Sequence, residues 1–275
     1  MPTHKEPLPL TDRDIIFQKY FIALAPNYHH LTSNTTYLVA QKALTLAPPP
    51  TDPTALIHDN ASGPGTASLA LIEHYKSRNA PVPKIIATDY TPAMISALPS
   101  HPQISASVAD SQSLPFPDNH FAYSITNISL ANFNDPKLAL REINRTLKPG
   151  GIAVVTHWKD FGLGTLLHKA LEKYHGAKQP DPPVAGKEMD LGTEGVIQGM
   201  MVEAGWDGPR VETRVVEVRS QEVEGAVEFL TGPFLPVVGK FQTEEEKGKW
   251  RDSVEGVLEE VGEVRCEGWV VVGRK

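Results

Sequence analysis

The stretch HDNASGPGTAS, His58 to Ser68, joins a short apolar run, ALIHD (Ala55 to Asp59), to a helix-forming segment, TASLALIEHY. A strand that runs into a small-residue turn and then a helix is where a nucleotide-like ligand meets backbone, because the helix N-terminus presents unpaired N–H groups. Gly63 and Gly65 give that turn its freedom and leave no Cβ in the way. On their own the two glycines also fit ordinary turn chemistry.

Outward from the turn, the same alternation repeats. KIIATD (Lys84 to Asp89) reads as a second strand, and Thr91-Pro92 opens a helix with proline at its first position. ISASVA (Ile104 to Ala109) and FAYSITN (Phe121 to Asn127) read as the third and fourth strands. Asp135-Pro136 opens the helix PKLALREINRTL, Lys148-Pro149-Gly150-Gly151 ends it, and GIAVVTHW is the fifth strand. Strand, helix and strand in this succession predict a parallel sheet with right-handed crossovers. Asp59, Asp89 and Asp110 then stand at or just past the ends of three successive strands, where their carboxylates converge on one crevice. Any one of them alone reads as a helix cap or turn former.

The flanks are helical. Thr11 and Asp14 form a capping-box-like start for DIIFQKYFIALA, and a second helix is expected from Ser33 through Leu46. PPPTDP (Pro48 to Pro53) stops both and marks the joint between an N-terminal arm, residues 1–50, and the main domain, residues 51–275. Beyond Trp158, helices are expected near Leu163 to His175 and Thr193 to Ala204, with another starting at the box Thr243-x-x-Glu246. VETRVVEV and VRCEGWVVVG read as strands.

Composition narrows the function classes. The formal net charge is −7, which disfavours a nucleic-acid binder that depends on clustered Lys and Arg. One cysteine, Cys266, excludes an intramolecular disulfide framework and a thiolate metal cluster. No metal-ligand spacing stands out. No apolar run nears the roughly 20 residues of a membrane span, and MPTHKEPLPLTDRD lacks a secretory h-region. The expectation is a cytoplasmic protein acting on a small molecule, without nucleic acid or membrane; its oligomeric state is open.

LIHDNASGPGTASLAL, IIATDYTPAMI and VADSQSLPFPDNHFAYSITNISLANFNDPKLALREINRTLKPGGIAVVT resemble the class I S-adenosylmethionine-dependent methyltransferases in order and spacing. DNASGPG, VVTHWKDF and FLPVVGKF are most similar to fungal small-molecule methyltransferases, including S-methyltransferases of epidithiodiketopiperazine dithiols. The resemblance implies a Rossmann-like three-layer α/β sandwich. Its sheet would have seven mostly parallel strands, with VRCEGWVVVG antiparallel beside VETRVVEV. Helices 11–46 and segments 160–205 and 220–262 would cap the crevice.

It also implies S-adenosyl-L-methionine as cofactor. Asp59 and the backbone at Ala61, Gly63 and Gly65 would hold its methionine portion, with Asn127 beneath the amine and sulfonium. Asp89 would take the ribose hydroxyls and Tyr90 would lie beside the adenine. Asp110 would accept from the adenine amine, and the Ser111 amide would meet the ring. Two positions depart from the family pattern: Ala61 stands where the first glycine is usual, and Ala122 replaces an acid.

For chemistry, His157 at the end of the fifth strand is the candidate general base, or else a core or substrate-shaping histidine. Trp158 beside it and Tyr28 in the arm, near His29 and His30, are candidate substrate contacts; Trp158 also fits a core role. His58 should point to the face opposite Asp59. The resemblance slightly favours a thiol acceptor, which supplies its own thiolate, whereas a hydroxyl or protonated amine needs a base. O- or N-methylation, or a methyltransferase fold that binds the cofactor without methyl transfer, as a pericyclase or binding module, remain open. A nicotinamide enzyme is disfavoured: Gly63-x-Gly65-x-x-Ser68 lacks the third glycine, and Asp59 would crowd a pyrophosphate.

Overall fold

The computed structural model describes residues 12–178, 190–235, 241 and 243–275. Seven strands make one sheet: β1 (Leu56–Asn60), β2 (Lys84–Asp89), β3 (Ile104–Val108), β4 (Phe121–Asn127), β5 (Leu147–Asp160), β6 (Val211–Ser220) and β7 (Val264–Arg274). They lie in the order β3-β2-β1-β4-β5-β7-β6. The first five pair in parallel, and β7 runs antiparallel between β5 and β6, as the sequence predicts.

The described helices are α1 (Asp12–Leu24), α2 (Tyr28–Leu31), α3 (Thr35–Leu46), α4 (Thr66–Lys76), α5 (Pro92–Ala97), α6 (Pro136–Thr146), α7 (Gly162–His175), α8 (Val196–Glu203), α9 (Val223–Thr231) and α10 (Glu244–Val261). Local chemistry accounts for several boundaries. The Asp135 carboxylate accepts from the Leu138 amide at 2.9 Å, with Pro136 in the first turn of α6. At α10 the box closes both ways: the Glu246 amide donates to Thr243 Oγ1 at 3.1 Å, and the Thr243 amide donates to Glu246 Oε2 at 3.0 Å. Thr91 differs from expectation, since its side chain caps nothing in α5; its amide donates to Asp89 Oδ1 instead. Thr11 and part of FLPVVGKF lie outside the described residues.

Side chains alternate across the pleat, and each sheet face has its own core. On one face, Ile57, Ile85, Tyr123, Ile125 and Val154 pack with Leu24, Leu31, Val39, Ala40 and Leu44 of the arm, with Leu71 of α4, and with buried residues of α7, α9 and α10. On the other, Phe121, Ala153, Val155, Trp269 and Val271 pack with Leu140 and Ile143 of α6 and with Ile197, Met200 and Met201 of α8. The arm therefore shares the core of its face of the sheet. Within the segment 160–205, α7 lies on the arm face and α8 on the opposite face. The reason is a long-range contact. Trp269 projects to that opposite face and donates its indole N–H to the Gly192 carbonyl at 2.7 Å, which anchors the approach to α8 there. Among the described residues, no helix is long and apolar enough to cross a membrane.

Candidate active site

The register places the candidate residues. Asn60 pairs with Thr88 and Thr126, and Thr126 with Val155, so these form one row near the carboxyl ends of the strands. One step further on, Asn127 pairs with Thr156, and Asp89 ends β2 beside Val108. By pleat alternation, Asp59, Asp89, Asn127, Thr156 and Trp158 share the arm face, whereas His58, Asn60, Thr126 and His157 project to the other.

Asp59 is almost fully buried; its Oδ2 accepts from the Ser68 amide at 2.8 Å and from the Ser68 hydroxyl at 2.6 Å. Its Oδ1 has no partner, nor does the buried Thr66 Oγ1 in the first turn of α4. Burial raises the Asp59 carboxyl to about 7; the Ser68 bonds oppose that rise, and the nearby charge of Asp89 adds to it. Asp89 is raised by burial too, against the pull of its own hydrogen bonds. Its two oxygens accept from the amides of Gly63 and Thr91, each at 2.8 Å, so it ties the glycine turn to the end of β2. Asp110 folds back on its own turn, accepting from the Gln112 amide at 2.8 Å. The Ser111 hydroxyl donates to Asn60 Oδ1 at 2.9 Å.

The arm meets the strand ends directly. Asn127 Nδ2 donates to the Thr36 carbonyl at 3.0 Å, and Asn127 Oδ1 accepts from the Thr156 hydroxyl at 2.8 Å. The Tyr28 hydroxyl shares a hydrogen bond with the Thr36 side chain. Burial raises the Tyr28 phenol to about 12, and the charge of Asp89 adds to the rise. Trp158 stacks on Phe161 with centroids 5.4 Å apart.

His157 is not brought to this group. It pairs across the strands with Trp269 on the far face, its Nδ1 is buried without a partner, and burial lowers it to about 4. His58 behaves as expected, stacked on Phe121 at 4.6 Å with Nε2 2.9 Å from Thr88 Oγ1.

Two backbone features were invisible in the sequence. Ala61 and Ile128 both occupy left-handed conformations, at φ 51° and 55°. Such strain costs about 1–3 kcal/mol per non-glycine residue, and most for a β-branched one. The Ser129 hydroxyl links the two loops, lying 3.2 Å from the Ala61 carbonyl and 3.0 Å from that of Asn127.

Residues 59–155 match the family described as a methyltransferase domain. Over those residues the chain carries a methyltransferase domain. S-adenosylmethionine is its cofactor, and the residues present fit it. A cationic ligand suits a crevice holding one buried and one half-buried carboxylate, and Asp59 Oδ1 and Thr66 Oγ1 are polar atoms in want of a partner. Over 215 residues the methyltransferase is 25% identical to the methyltransferase tpcH of Aspergillus fumigatus, covering 74% of this chain and 75% of that protein. It is 32% identical over 114 residues to the ubiquinone/menaquinone biosynthesis C-methyltransferase UbiE of Pseudomonas putida, a match spanning 36% of this chain and 43% of UbiE, less than half its length. The crystal structure of the cyclase SpnF superposes with a TM-score of 0.55 at 17% identity, covering 98% of this chain and 97% of that one, a likeness of fold.

Proposed function

We propose that this methyltransferase modifies a small molecule and that a thiol sulfur is the acceptor. Bound S-adenosylmethionine supplies an electrophilic methyl group on a sulfonium. In this reading Asp59 and the backbone of Ala61, Gly63 and Gly65 hold the methionine portion, with Asn127 beneath it. Asp89 holds the ribose, and Tyr90, Asp110 and Ser111 surround the adenine. The arm, residues 1–50, acts as a lid on the domain of residues 51–275, with Tyr28 and Trp158 toward the acceptor.

One observation carries the choice of acceptor: with Asp59 and Asp89 given over to the cofactor in this reading, neither His157 nor Tyr28 is poised as a general base. His157 is on the far face and lowered to about 4 by burial, and Tyr28 is raised to about 12. A thiol, with pKa near 8.5, ionises without such help, whereas a hydroxyl does not. The likeness to UbiE, a ubiquinone/menaquinone biosynthesis C-methyltransferase, supports a small-molecule acceptor; a dithiol natural product is the narrower form we propose. The fold shared with a cyclase favours one second reading, a domain that binds the cofactor and transfers no methyl.

A panel of thiol, amine and phenol acceptors, assayed for S-adenosylhomocysteine formation with the parent and His157→Ala, tests this. Thiols should react, and the variant should keep substantial turnover. Activity confined to phenols and lost by 10²–10⁴-fold, on the order of a general-base contribution, would make His157 the base. Cofactor binding with no product from any acceptor would favour the second reading.

A further inference from the structure

We infer that Ile128 is the specificity-determining residue of the acceptor pocket: a branched apolar wall, held at the end of β4, that limits the bulk of an uncharged apolar or aromatic acceptor. This rests on the reading that the domain acts on a small molecule.

The backbone at this position suits glycine, asparagine or aspartate, which enter the left-handed region far more readily than isoleucine. The turn alone does not call for a β-branched side chain. Yet Ile128 is locked there from both sides. Its amide donates to the Thr156 carbonyl at 3.1 Å and lies 2.9 Å from Thr156 Oγ1. Before it, Asn127 is pinned to Thr36 and Thr156; after it, the Ser129 hydroxyl bridges the Asn127 and Ala61 carbonyls. Strain that is so over-determined points to a function for the side chain it orients.

That side chain is half-buried and packs on the arm-face core, the face that carries Asp59, Asp89 and the Trp158–Phe161 stack. Tyr28 packs against the same core from the arm. Polar groups for the cofactor thus stand beside an apolar and aromatic boundary, and Ile128 is its member on the central strand next to the glycine turn. A pocket bounded this way selects by shape and size, as removing methylenes from such a wall admits larger ligands.

The test compares the parent, Ile128→Gly and Ile128→Asn, using thiophenol and para-tert-butylthiophenol as probes. Both kcat/KM and calorimetric affinity in the presence of S-adenosylhomocysteine are measured. In Ile128→Gly the preference for the bulky over the small thiophenol should rise by about tenfold or more, within the range for apolar pocket contacts, with S-adenosylhomocysteine affinity unchanged. Ile128→Asn keeps the turn but makes the wall polar, and both probes should bind more weakly. If asparagine instead restores parent behaviour for both probes, the residue serves the turn alone and the inference is overturned. An unchanged bulky-to-small ratio in both variants overturns it as well, as does loss of S-adenosylhomocysteine binding in both. A parent that binds the probes without methylating them refutes the transfer reading, while the binding ratio still decides on the wall. A parent that binds neither probe overturns the wall.

Discussion

His58 and Asp59 are neighbours on one strand, both buried, and they face opposite sides of the sheet. Burial drives each toward its neutral form, lowering His58 to about 3 and raising Asp59 to about 7. Around His58 the polar atoms answer one another. Its ring lies between Thr88 and Ser124, and Asn60 beside it lies between Ser111 and Thr126. Around Asp59, by contrast, one carboxylate oxygen and the Thr66 hydroxyl have no partner, and a second acid, Asp89, adds to the charge. A closed neutral network rigidifies a core. An open acidic one keeps acceptor capacity at a cost in stability, which a cationic ligand offsets. In the proposed assignment the Asp59 face of the strand ends is the one that binds, and the network around His58 holds the sheet.

The harshest way to break that contrast is Asp89→Ala. It removes the acceptor for the Gly63 and Thr91 amides and, in the proposed assignment, for two ribose hydroxyls. Two hydrogen bonds to a charged group, at about 1.5–3 kcal/mol each, correspond to a loss of roughly 10²–10⁴-fold in affinity for S-adenosylmethionine. Calorimetry reads this directly. An affinity equal to the parent's would mean that the binding face does not depend on Asp89.

Asp59→Asn sharpens the contrast through pH. The Asp59 carboxyl is raised in the folded state, so the folded state holds its proton where the unfolded chain has lost it. Its contribution is full below about pH 4 and is lost as pH rises toward 7. A rise from 3.8 to about 7 corresponds to on the order of 4 kcal/mol. His58 has the opposite sign: its lowered value contributes fully above about pH 6.5 and is lost as pH falls toward 3. In the parent the two slopes oppose each other between about pH 4 and 6.5. Asp59→Asn removes the descending slope that Asp59 contributes, and urea unfolding from pH 4 to 8 should show stability climbing more steeply than in the parent. A pH profile identical to the parent's would contradict a raised Asp59.

What sequence could supply follows the same division. The parallel sheet was legible because each strand is closed by its own punctuation, GPG after β1, Thr91-Pro92 after β2 and Asp135-Pro136 after β4. VETRVVEV and VRCEGWVVVG were legible as strands, and their antiparallel pairing, which the family resemblance implied, runs over their whole length. The three strand-end acids were legible because position alone marks them. Partners were not. Asn127 looks free in sequence, yet its amide is spent on Thr36, 91 positions away, and on Thr156. The pleat separates His157 from Trp158, but which of them faces the arm depends on how the arm packs, and no local pattern encodes that. The side chosen by α8 followed the Trp269 anchor to Gly192, a contact between residues 77 apart. Nothing in Asn127-Ile128-Ser129 announces a left-handed isoleucine.

The smallest expected effect concerns Ala61, where the family's first glycine is usual. Its φ of 51° sits in the region that glycine enters freely and alanine enters at a cost of roughly 1–2 kcal/mol. Ala61→Gly removes that strain and loses about 0.4–1 kcal/mol through the greater freedom of glycine in the unfolded chain. The net is a gain of about 0.5–1 kcal/mol, or roughly 2 °C in Tm for a chain of this size. The Ala61 carbonyl, which receives the Ser129 hydroxyl, is untouched by the change, so the link between the β1 and β4 loops should persist. Affinity for S-adenosylmethionine should then stay within about twofold, because the backbone already holds the conformation that glycine would adopt. A fall in Tm, measured by calorimetry, would show that the alanine methyl makes a packing contact worth more than the strain it imposes. A large rise in affinity would show that Ala61 narrows the binding face, placing part of its selectivity in the one position where this turn departs from the glycine pattern.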